Sequence, residues 1–155
     1  MSRPETALSA LAAVAQTAIR AATGGTGNAY YPAPGSLLGA PNLILFWGDT
    51  AITLGNEQFW VVQVKGQLLA SALRTKLPTD IARSDPLIVP LVDAFAPGTD
   101  GNLLQANNTN RLVEYCRVER VIPSLVIEFP GGSGSFYYGA EVYWGVKIRR
   151  FTGDA

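Results

Sequence analysis

A chain of 155 residues fits one domain, since domains usually run to roughly 100–200 residues. Apolar residues make up 48% and charged residues 15%, which argues against disorder over most of the length and for one sizeable core. Lys+Arg and Asp+Glu number 12 each, so the chain exerts no long-range pull on nucleic acid or an anionic membrane, and association with proteins is favoured instead.

In chain order, Ser2-Arg3-Pro4-Glu5 fits a capping box, with Ser2 as N-cap and Glu5 three residues on. Leu8, Leu11, Ala12, Ala15 and Ile19 follow at helical spacing, and Gly24-Gly25 ends the pattern. The spacing predicts an amphipathic helix over about residues 4–22. Arg3 and Ala13-Val14-Ala15 superficially resemble a signal peptide, but Glu5 in the leading region and few leucines favour the helix. Residues 23–41 hold five Gly and three Pro around Tyr30-Tyr31-Pro32, an extended loop of the kind that often carries function.

The remaining core is expected over residues 42–151. Leu43–Trp47 is a continuous apolar run that predicts a strand buried on both faces. A longer strand from about Gln58 to Ala70 puts Trp60, Val62, Val64 and Leu68 on one side and Gln63, Lys65 and Gln67 on the other. Thr50–Asn56 between them reads as a hairpin loop or a short extra strand. Thr79–Arg83 predicts a turn of helix, and Asp85-Pro86 opens a second helix through Leu87, Leu91, Val92 and Phe95. Pro90 lies early enough for that helix to survive it. Residues 97–110 read as loop.

Three C-terminal strands are expected: Arg111–Val121, Ser124–Phe129 and residues 136–151. The first carries charge on both faces, with neither plainly core. The last turns Val142, Trp144, Val146 and Ile148 inward and Glu141, Tyr143, Lys147 and Arg149 outward. Together these elements predict an α+β domain: a mostly antiparallel sheet of about five strands with two main helices on one face.

Chemistry is hard to place. With no His, the chain lacks the commonest general base, the Ser-His-Asp triad and every His-based metal site. Cys116 is the only cysteine and reads as a small buried hydrophobe. No Gly-Lys pair exists for a phosphate loop. The Gly131–Ser135 run joins two predicted strands, so it reads as a hairpin loop rather than an anion cradle. Asp49, Glu57, Glu114, Glu119, Glu128 and Glu141 are scattered, as solvated surface carboxylates are. No catalytic, cofactor-binding or metal-binding residue is expected. The longest apolar runs, Ala10–Ala15 and Leu43–Trp47, fall far short of the ~20 residues that span a bilayer.

The last strand offers a weak basic footprint in Lys147 and Arg149, with Arg150 opposite. Glu141 and Asp154 dilute it, and the polar outer face of an edge strand explains it as well. No sequence-specific nucleic-acid contact is expected. What stands out instead is aromatic. Tyr30, Tyr31, Tyr137, Tyr138 and Tyr143 fall in loops, at strand starts or on outward positions, and tyrosine is enriched at interfaces. With Arg117 and Glu119 of the doubly charged strand, they form the candidate subunit interface; Lys147 and Arg149 form a candidate lumen or polar face.

The order helix, Tyr30-Tyr31-Pro32 loop, strands Leu43–Trp47 and Phe59–Leu69, and helix from Asp85-Pro86-Leu87 through Ala94-Phe95 resembles the tail terminator (tail completion) proteins of long-tailed bacteriophages. The ending, Tyr137-Tyr138-Gly139-Ala140-Glu141 through Lys147-Ile148-Arg149, resembles them most. The resemblance implies a structural virion protein of the tail or neck, assembled in the host cytoplasm. It implies a self-associating hexameric ring that caps the tail tube and meets the head–tail connector protein, with no enzymatic activity and no cofactor. The loops at 23–41, 48–57 and 130–135 are then the candidate contacts. A head-completion or stopper protein of the same assembly is the near alternative. A small-molecule-binding β-rich domain lined by Trp47, Trp60 and Trp144 is the alternative from another class, although packing explains those tryptophans more simply.

Overall fold

The computed structural model describes residues 3–37, 41–54, 59–72, 85–102, 104, 113–132 and 134–149. The Ser2 cap, the Thr79–Arg83 turn, Arg111 and the end of the 97–110 loop lie outside the described residues. The elements are α1 (Arg3–Thr23), β1 (Asn28–Tyr30), β2 (Asn42–Leu54), β3 (Phe59–Ala72), α2 (Asp85–Ala94), β4 (Val113–Glu128) and β5 (Phe136–Arg149). The five strands form one sheet in the order β1-β2-β3-β5-β4. Among the described strands, β1–β2 is parallel, while β2–β3, β3–β5 and β4–β5 are antiparallel. The fold is α+β, as the pattern predicts.

The apolar positions of α1 (Leu8, Leu11, Ala15 and Ile19) are buried against one sheet face, where α2 adds Leu87 and Leu91. The sheet meets them with Leu43, Leu45, Val62, Val64, Leu68, Val142, Trp144, Val146 and Ile148. The alternation read from β3 and β5 is therefore the alternation observed. Pro90 sits inside α2, which continues past it to Ala94. Gly66 of β3 leaves room for Trp144: a Cβ there would lie 2.6 Å from the Trp144 ring and 3.0 Å from Leu43. The edge of the Trp144 ring meets Phe95, with centroids 5.7 Å apart at 75°.

Three expectations need correction. The segment 23–41 is not all loop, because Asn28–Tyr30 pairs with Asn42–Ile44 as β1. Arg20 holds it there: its Nε donates to the Gly27 carbonyl at 2.9 Å and its Nη2 to Asn28 Oδ1 at 3.0 Å. Second, the strands expected at Arg111–Val121 and Ser124–Phe129 are one strand, β4. A register shift between Ile122 and Leu125 lets it pass Pro123, at a sheet edge where a missing N–H breaks no ladder. Third, β2 does not stop at Trp47 but runs to Leu54 through a register shift between Trp47 and Ile52.

The same bulges settle the face of β4. Register shifts fall between Val113 and Tyr115 and between Val118 and Arg120. Each extra residue reverses the alternation that follows. Val113, Cys116, Val118 and Val121 thereby pair with Ile148, Val146, Trp144 and Val142 of the core-facing set, while Tyr115, Arg117 and Arg120 face the other way. The strand that reads as charged on both faces thus has one core face. A strict two-residue period cannot reveal it, because the bulges break the period.

The turn after α2 is held by one side chain. Asn102 Nδ2 donates to the carbonyls of Phe95 and Cys116, both at 3.1 Å. The Cys116 N–H returns a bond to the Asn102 carbonyl. The end of α2 is thereby tied to β4 across the turn that follows it.

Candidate subunit interface

Both described helices lie on one face of the sheet; the opposite face divides into two halves. At one end Ile44, Leu69, Ile127 and Phe129 are buried beneath Tyr30, Leu37, Phe46, Leu125 and Tyr137. The 30–37 segment thus folds across this end. Tyr30 and Tyr137 are half-buried in that small cluster, and Tyr31 packs on the main core. The contact area expected of these tyrosines is largely taken up inside the chain itself. Tyr138 departs further from expectation: it is 2% exposed, because β5 alternation turns it to the same side as Ala140 and Val142. It offers no surface to a neighbour.

The other half of this face is polar, and no described helix covers it. Lys65 Nζ lies 3.5 Å from Glu141, and the Tyr143 hydroxyl donates to the same carboxylate. Arg120 stacks over the Tyr143 ring at 4.2 Å from its centroid, and Arg117 over the Tyr115 ring at 4.6 Å. The Glu141 hydrogen bond, with burial and the carboxylate charge, pushes the Tyr143 phenol up from its ordinary value, against the opposing pull of Arg120. The extra residue Glu119 lies with its carboxylate against the bare Cα of Gly145, where a Cβ would collide with it, and 4.0 Å from Arg117. Arg117, Glu119 and Arg120 are exposed. Lys147 pairs with Tyr115 and joins the same face; the side chain of Arg149 lies outside the described residues.

The structure therefore brings together Arg117, Glu119, Tyr143 and Lys147 of the expected set and separates Tyr30, Tyr31, Tyr137 and Tyr138 from them. Sequence reasoning missed Tyr115, Arg120 and Lys65. The signal for the first two was present in Tyr115-x-Arg117 and Arg120, but only the bulge puts them on one face. One explanation of the basic footprint also falls: β5 lies between β3 and β4, so Lys147 is not guarding a sheet edge.

Other candidate sites resolve into local structure. In the Gly131–Ser135 loop, Glu128 accepts from Gly132 N–H at 2.7 Å and Gly134 N–H at 2.9 Å, so the amides that would cradle an anion already hold a carboxylate. Those bonds hold the Glu128 carboxyl below its ordinary value of 4.5. A folded-state pKa below the unfolded one means that this clamp contributes above about 4.5 and is lost as pH falls through the lowered value. The amide shifts of Gly132 and Gly134 are expected to titrate together with a midpoint below 4.5, and a midpoint at or above it would show that the clamp is absent.

Cys116 is fully buried, and desolvation pushes its thiol well above the ordinary value, which disfavours the reactive thiolate. Among the described residues no cluster of three or more His, Cys, Asp or Glu side chains is placed to hold a metal, and no helix is long and apolar enough to cross a membrane. An open groove of about 300 Å³ is lined by Glu5, Ser9, Tyr31 and Pro32; it shares no residue with the tryptophan-lined pocket of the alternative reading. Trp144 is fully buried in the core, whereas Trp47, paired with Val64 on the strand side that also carries Leu43 and Leu45, is 37% exposed. No protein-family model matches the chain, and no characterised protein matches it in sequence.

Proposed function

We propose that the chain is a structural subunit that assembles with copies of itself into a ring, in the manner of a phage tail terminator. In that role it caps a tail tube and meets the head–tail connector. The observation that carries the reading is the polar half of the sheet that no described helix covers, where two guanidinium groups lie on tyrosine rings beside exposed Glu119. Tyrosine and arginine are, with tryptophan, the residues enriched at binding hot spots. An arginine already stacked on a ring also loses less freedom when a partner arrives.

The proposed mechanism is geometric. A contact between two different surfaces of successive copies closes into a ring when its rotation closes. A closed ring on the tube end offers no site for the next tube subunit. Negative-stain electron microscopy of the purified protein tests this: closed rings of uniform diameter are expected. Featureless particles of protomer size at every concentration would overturn the reading. So would melting that shifts only with a small ligand, which points to the binding-domain alternative.

A further inference from the structure

We infer that the contact between copies is head-to-tail, with the outer face of α2 from one protomer seated on the arginine–tyrosine half of the next protomer's sheet. The inference rests on the assembly reading above and specifies its interface. The helix α2 buries Leu87 and Leu91, yet its outward side is also apolar: Val89 is 62% exposed and Val92 37%. Pro86 and Asp93 are exposed beside them. A helix apolar on both sides is ordinarily buried on both. Within the protomer, the outward side of this one faces away from the core.

Charge identifies the occupant. Among the described side chains on the polar half of the sheet, Lys65, Arg117, Arg120 and Lys147 stand beside Glu119 and Glu141, and the two guanidinium groups are exposed along β4. The α2 ridge has no basic residue in its last turn; it carries Asp93, and Asp100 is exposed in the turn beyond. An acidic, valine-bearing ridge is complementary to a face of guanidinium groups laid flat on tyrosine rings. Both surfaces belong to one chain but differ from each other, so the contact is heterologous.

The test is charge reversal read by mass photometry across a dilution series of the full chain. R117E/R120E and D93K are each expected to raise the concentration at which assembly is half complete by about tenfold or more. A chain carrying all three changes is expected to recover most of that loss. All three positions are exposed, and circular dichroism of each variant confirms that the fold is kept. If wild type assembles and R117E/R120E assembles equally well, this contact is wrong while the assembly reading stands. If wild type is a monomer throughout, both fall. Tight binding of wild type to a duplex oligonucleotide, lost in R117E/R120E, would assign the face to nucleic acid and overturn the inference.

Discussion

Trp144→Ala is expected to lower the free energy of unfolding by about 3–5 kcal/mol, the range for truncating a large buried aromatic. Trp144 has no exposed surface and stands where the two layers meet. It pairs across strands with Val64 and Val118, fills the space over Gly66 and takes the edge of Phe95. A hole there would be walled by strands that cannot close on it, because β5 is held on both sides by β3 and β4. Trp144→Phe is expected to cost far less. The smaller ring keeps the Phe95 contact and removes an indole N–H that has no partner among the described residues. Urea unfolding of the three proteins checks the order; equal losses for Ala and Phe would show that packing at this site is not what matters.

Asn102→Ala is expected to cost about 2–4 kcal/mol, since two carbonyls in the partly buried link between α2 and β4 each lose a donor. Asn102→Asp is the sharper variant. It keeps the shape, removes both N–H donors and sets a carboxylate against the Phe95 and Cys116 carbonyls, so its loss at neutral pH should exceed that of Ala. Lowering the pH should recover part of it, because the introduced carboxyl regains one donor once it is protonated. Thermal melts of both variants at neutral and acid pH decide the matter, and an Asp variant as stable as wild type would refute the assignment of these bonds.

How far the sequence reveals this molecule depends on where its periodicity survives. The two helices and the faces of β3 and β5 were legible, because Leu8 to Ile19 keep a helical period and Val142 to Ile148 keep a two-residue one. Strand β4 was not. Its bulges at Glu114 and Glu119 shift the alternation twice, so charges that share one side or sit in bulges read as charges on both. Strand β1 was hidden for another reason: three residues among glycines and prolines carry no pattern, and it is Arg20 that ties Gly27 and Asn28 back to α1. Counting tyrosines as interface residues failed where the local backbone turned them inward, as at Tyr138, or folded their segment over the sheet, as at Tyr30. Arg117 and Glu119 were found because their strand reads as charged on both faces, while Arg120 on Tyr143 became visible only with register.

Sedimentation velocity over a wide concentration range shows whether the polar half of the sheet, which no described helix covers, is the contact proposed between copies of the chain. One discrete assembly is expected, a fixed multiple of 16.5 kDa, that dissociates on dilution without a ladder of intermediates. A single 16.5 kDa species at every concentration would contradict it.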